Sequence, residues 1–114
     1  METDLIHSEI KGLTKIRLEW SKTNMSKPKA QELVSKIGIF EHTFSVNFPI
    51  AKEYYQTDPF VKVNFLDGKE ELEYYSDSDL KKKDDGYFRE GKNHINLAIN
   101  GLIKGLESKI KSSK

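Results

Sequence analysis

The chain has 114 residues, of which 36% are apolar and 32% are charged, and its formal net charge is +1. This length fits one domain with a modest core, and so small a net charge does not by itself point to a nucleic acid or a membrane as the partner. The chain has no cysteine, which excludes disulfides, thiol catalysis and zinc sites with cysteine ligands.

The N-terminal stretch METDLIHSEIKG lacks the basic start and the apolar run of a secretory signal. No apolar run approaches the roughly 20 residues that span a membrane. We therefore expect a cytoplasmic protein with one compact domain over residues 1–114. A polar loop is expected at about 76–92, and a frayed tail at the C-terminus.

Residues 4–22 predict a first amphipathic helix, because their apolar side chains fall within about 140° of a helical wheel. These side chains are Leu5, Ile6, Ile10, Leu13, Ile16 and Trp20. The alternation of Ile16, Leu18 and Trp20 leaves a short strand as the alternative for residues 15–21.

A second helix is predicted to begin at Ser26 and Pro28. A serine at the N-cap accepts a free backbone N–H, and a proline in the first turn has no N–H to leave unpaired. Gly38 predicts the end of this helix, as a residue that tolerates the left-handed cap. The apolar face between them is Ala30, Leu33, Val34 and Ile37.

The period then changes from helical to alternating. The even positions of the next segment carry its apolar side chains and one histidine, while the odd positions carry Glu41, Thr43, Ser45 and Asn47. This alternation predicts a half-buried strand that Pro49 ends, followed by a connector over residues 49–59. The inward side of the strand would be Phe40, His42, Phe44, Val46 and Phe48.

The segment FVKVNFLDGKEELEYY predicts a β-hairpin. Asp67-Gly68 is a strong two-residue turn signal. Pairing Leu66 with Lys69 places Val63 opposite Leu72 and Val61 opposite Tyr74, so that the turn and the apolar pattern agree.

A closing helix is predicted from one apolar stripe: Ile95, Ala98, Ile99, Leu102, Ile103, Leu106 and Ile110. The sequence GYF at Gly86 could add a short fourth strand. The resulting fold is α+β, with two N-terminal helices and a three- to four-stranded antiparallel sheet that the C-terminal helix covers on one face.

No motif supports a cofactor, a metal or a catalytic frame. GYFREGKN resembles a phosphate-binding loop, but Asn93 stands where the magnesium-binding hydroxyl belongs. The interpretation preferred is a turn at Gly91 and a helix that Asn93 caps. Asp77 begins a spacing that fails as a calcium loop, and the three histidines form no metal-binding spacing. We therefore expect no enzyme activity.

The aromatic and charged residues predict a binding role instead. Acids outnumber lysines over 67–85, and basic residues dominate 86–114. Exposed tyrosines with a charged rim are typical of protein interfaces. We expect a protein-binding module of the inhibitor, immunity or adaptor type, and a homodimer remains open. The expected contact residues lie on the outer sheet face and the following loop: Tyr75, Asp77, Asp79, Lys81, Lys82, Lys83, Tyr87, Phe88, Arg89 and Lys92.

The alternative is nucleic-acid binding by the basic residues of the 81–92 loop. Lysines and the arginine would neutralise phosphates, and Tyr87 or Phe88 would stack on bases.

Overall fold

The computed structural model describes residues 2–24, 26–77 and 85–112, and the regular structure within them is entirely helical. Its helices are α1 Glu2–Ser21, α2 Lys27–His42, α3 Phe44–Asn47, α4 Lys52–Thr57, α5 Pro59–Asp77 and α6 Asp85–Ser112. The long helices form a bundle about 53 Å in length, in which α6 packs on α5 and α1, and α2 packs on α5. None of the helices in these ranges is both long and apolar enough to cross a membrane.

The α+β prediction is therefore wrong, since the described residues contain no strand and no sheet. The segment 40–48 lies at the end of α2 and in α3 rather than in a strand. Phe40, Phe44 and Phe48 are buried, as predicted, but a spacing of four residues fits one helical face as well as one strand face. Val46 and His42 decide between the two, because both are exposed, and Val46 is 79% exposed.

The β-hairpin prediction is also wrong, because Asp67-Gly68 lies inside the continuous helix α5. The predicted partners Val63 and Leu72 point in different directions: Leu72 is fully buried, whereas Val63 is 52% exposed. The buried side of α5 has helical spacing. Its members are Val61, Asn64, Phe65, Gly68, Leu72, Tyr75 and Ser76.

Gly68 and Gly91 allow α5 and α6 to approach closely. A Cβ at Gly68 would lie 2.7 Å from the side chain of Ile95 and 2.9 Å from the carbonyl oxygen of Gly91. A Cβ at Gly91 would lie 2.8 Å from Leu72 Cγ and 3.1 Å from the Gly68 oxygen. The glycines that predicted a hairpin turn and a loop therefore serve helix–helix packing.

The final helix begins earlier than predicted. Residues 85–92, expected as loop or as a short strand at Gly86, form the first turns of α6, so Asn93 is not its cap. The apolar stripe from Ile95 to Leu106 is buried as predicted. Residues 78–84 of the expected loop lie outside the described residues.

The N-terminal predictions fare better. Helix α1 covers residues 15–21, so the strand alternative is wrong. Ser26 caps α2 by accepting the N–H of Lys29 at 3.2 Å, and a proline occupies its first turn. The predicted end at Gly38 is wrong, because α2 continues to His42 and no glycine among the described residues has positive φ.

The expected connector at 49–59 contains α4, which two polar clusters hold. Buried Glu9 accepts the N–H groups of Ile50 at 2.9 Å and Ala51 at 2.8 Å. In the second cluster, Glu41 accepts a hydrogen bond from the hydroxyl of Tyr55 and another from Lys69 Nζ, the latter at 2.6 Å. These bonds connect α4 and its entry to α1, α2 and α5.

Candidate docking face on α5 and α6

The predicted contact residues divide between the interior and the surface. Tyr75 and Phe88 are buried and pack edge to face, with ring centroids 5.2 Å apart. They join α5 to α6 and are not available to a partner. Asp79 and Lys81, Lys82 and Lys83 lie outside the described residues, as does the side chain of Asp77.

The surface members lie on opposite sides of α6. Tyr87 faces α5, where its ring contacts Tyr74 with centroids 4.7 Å apart. Arg89 follows two residues later, which on a helix places it roughly 160° around the axis, and it is exposed near α1. Lys92 Nζ donates to the carbonyls of Ser21 and Thr23 at the end of α1. The structure therefore does not bring Tyr87 together with the two cations.

The two exposed tyrosines, Tyr74 and Tyr87, line an acidic groove. Its walls are formed by four α5 residues together with one residue of α6: Asp67, Glu70, Glu71, Tyr74 and Tyr87. Spacings of three and four residues along α5 place its members on one side of that helix. The groove is open to solvent and carries three carboxylates with no cation among its walls.

Large apolar side chains continue this surface along the outer side of α5. Phe60, Val63, Leu66 and Tyr74 are each between 47% and 52% exposed. Their positions, with those of Asp67 and Glu70, span roughly 120° of the helix circumference and about 21 Å of its length. We call this surface the docking face. Its members are Phe60, Val63, Leu66, Asp67, Glu70 and Tyr74 of α5 and Tyr87 of α6.

A histidine–carboxylate pair borders the docking face. His94 Nδ1 lies 2.5 Å from Glu71 Oε1, and both side chains are partly exposed. This contact joins α6 to α5 and fixes one wall of the groove. The described residues contain no group of three or more side chains that could hold a metal ion.

The apolar half of the docking face is the part that sequence reasoning missed. The sequence predicts a strand for Phe60, Val63 and Leu66, with Val63 on its inward side. A helical wheel over 59–77 would have separated them from the buried set of Val61, Phe65 and Leu72. The sequence contains this helical spacing, but the turn signal at Asp67-Gly68 favours a hairpin instead.

Comparisons with protein-family models, with curated proteins and with solved structures found no significant match.

Proposed function

We propose that this chain is a non-catalytic protein-binding module and that it binds its partner through the docking face. The observation that carries the proposal is the row of four half-exposed apolar side chains on the outer side of one helix. Such contiguous apolar surface next to charged residues is typical of protein interaction sites. Tyr74 and Tyr87 add the aromatic anchors that dominate binding energy at interfaces.

The charge of the docking face defines the kind of partner. Asp67 and Glu70 lie among its apolar residues, and Glu71 borders it. A partner with lysines or arginines around an apolar patch would complement this pattern and would associate faster because of the opposite charges. A second copy of this chain fits less well. In a two-fold contact centred on the docking face, Asp67 would lie against its own equivalent.

The described part of the site favours a protein over a nucleic acid. Phe88 is buried and has no free face for a base. Tyr87 lies beside three carboxylates, which repel a phosphate backbone. The groove is also open to solvent, so it does not offer the desolvated space that supports acid–base chemistry.

Affinity capture from cells of the source organism tests the proposal. The wild-type chain is compared with a variant that carries Leu66→Ala and Tyr74→Ala, after nuclease treatment of the lysate. We expect the wild type to retain a stoichiometric protein. We expect the variant to lose it, since truncation of each anchor costs about 2 kcal/mol or more, which is roughly 30-fold in affinity.

Leu18→Ala is the matched control, because Leu18 is 55% exposed on α1 and resembles Leu66 in type and exposure. It should retain the partner at the wild-type level. Equal loss in both variants, or capture of nucleic acid with no stoichiometric protein, would contradict the proposal.

A further inference from the structure

A cleft on the other side of the bundle has the properties of an anion site. It lies between the end of α1, α2 and the first half of α6, and its volume is about 230 Å³. This is below the range of pockets for drug-sized ligands, roughly 300–1,000 Å³, so its occupant would be small. The cleft shares no lining residue with the docking face.

Three cationic side chains line this cleft, those of Arg17, Arg89 and Lys92. No acidic side chain lines it. Arg17 donates to the amide oxygen of Asn100, and Lys92 donates to two backbone carbonyls. These acceptors are uncharged. Within the described ranges no carboxylate forms an ion pair with any of the three, so their positive charge is not neutralised there.

The chain has two arginines, Arg17 and Arg89, and both line this cleft. They come from α1 and α6, far apart in sequence. The guanidinium group is a planar fork of donors that matches the oxygens of a phosphate in pairs, which an ammonium group does not. This placement favours a phosphate over a single carboxylate.

The remaining walls comprise three uncharged polar residues, Ser21, Asn93 and Asn96, and four apolar ones. Trp20, Leu33, Ile95 and Ile99 line the cleft and are all buried. Burial also lowers the pKa of Lys92, and a bound anion would oppose that shift. Apolar side chains beside cations that form no ion pair with the described residues suit a ligand that joins a phosphate to a compact apolar body.

We propose that this cleft binds a small organic phosphate, with Arg17, Arg89 and Lys92 around the phosphate and Trp20 against its apolar body. The site is independent of the docking face, so either proposal can fail without the other.

Trp20 provides the measurement, because it is the only tryptophan of the chain. Its fluorescence and the NMR signal of its indole N–H are followed while phenyl phosphate, inorganic phosphate or phenol is added. We expect saturation with phenyl phosphate, weaker binding of inorganic phosphate and no saturation with phenol. Lack of a saturable change with phenyl phosphate up to roughly 20 mM, well above the dissociation constant expected for a ligand of this size, would overturn the proposal. So would equal affinity for inorganic phosphate.

Two variants separate a specific site from general charge attraction. Arg89 is exposed, so Arg89→Gln should fold, and circular dichroism checks this. We expect it to weaken phenyl phosphate binding about tenfold or more. Lys104→Gln removes one exposed positive charge from the same helix outside the cleft and should leave the affinity unchanged. Equal effects of the two substitutions would contradict the proposed site.

Discussion

The two sides of α5 are almost equally rich in large apolar residues, yet the bundle fully buries only one of them. The inner side packs closely against α6 at Gly68, and its side chains Val61, Phe65 and Leu72 are buried. The outer side keeps Phe60, Val63 and Leu66 half exposed. Packing of the bundle explains the first set fully. In the second set, the ring of Phe60 lies beside Gly101 of α6, yet all three side chains remain half exposed. This difference in burial is the basis for the proposal that a partner binds the outer side.

Matched leucine truncations give the largest expected effect. Leu72→Ala removes a fully buried side chain at the α5–α6 contact, and we expect it to lower the free energy of unfolding by about 2–5 kcal/mol through lost burial and a cavity. Leu66→Ala, on the outer side, should change it by less than about 0.5 kcal/mol. Urea denaturation measures both. Similar losses for the two variants would show that the outer side is also structural.

Matched glycine substitutions test the closeness of the inner contact. Gly68→Ala places a methyl group against Ile95 and the backbone oxygen of Gly91, so we expect a loss of about 1–3 kcal/mol despite the better helix propensity of alanine. Gly38 lies in α2, and apart from the adjacent backbone of that helix and its two chain neighbours no atom lies within 4 Å of the Cβ that Gly38→Ala adds. This substitution should stabilise the protein by about 0.5–1 kcal/mol. Stabilisation by both substitutions would disprove a tight α5–α6 crossing.

A smaller effect is expected at alkaline pH, at the Tyr55–Glu41–Lys69 cluster beside α5. Burial raises the pKa of Tyr55, and the hydrogen bond to Glu41 and the charge of Glu41 raise it further. Because the folded pKa lies above the unfolded value of about 10, the contribution of the protonated phenol is complete below pH 10 and is lost as the pH rises above it.

Tyr55→Phe should flatten this alkaline decline in stability, as followed by thermal unfolding between pH 8 and about 11. Tyr87→Phe is the control, since Tyr87 is exposed on the docking face, and it should leave the decline unchanged. A decline that is identical in wild type and in Tyr55→Phe would assign the effect to other groups.

The smallest stability effect is expected for Glu70→Lys on the outer side. Glu70 is exposed and makes no ion pair with the described residues, so the unfolding free energy should move by less than about 0.5 kcal/mol. Association with a basic partner should nevertheless slow, most strongly at low salt. Stopped-flow or surface-based kinetics with the captured protein measure this. An unchanged association rate would remove the electrostatic part of the proposal.

The sequence predicted the ends of the chain better than its middle, for physical reasons. The stripes of α1 and α6 are long and favour a helical period, although the alternation of Ile16, Leu18 and Trp20 in α1 also permits a short strand. In residues 40–48, by contrast, Phe40, Phe44 and Phe48 repeat every four positions and satisfy both periods. Only tertiary packing shows that Val46 points outward.

The turn and loop predictions at the glycines are wrong for a related reason. Asp67-Gly68 is a pair that commonly forms tight turns. In α5, however, Gly68 allows close packing against Gly91, a residue distant in sequence. That error also hid the apolar half of the docking face, which becomes visible only when 59–77 is a helix. Tyr87 is the part of the predicted site that stays exposed in the groove.

Site-specific photo-crosslinking tests the central claim most directly. A benzoylphenylalanine replaces Leu66 on the docking face in one variant and Leu18 on α1 in the other, and both are expressed in the source organism. We expect the variant at Leu66 to form a covalent adduct with one basic protein and the variant at Leu18 to form none with it. Adducts with that protein only from Leu18, or equal adducts from both positions, would contradict the assignment of α5 as the binding surface.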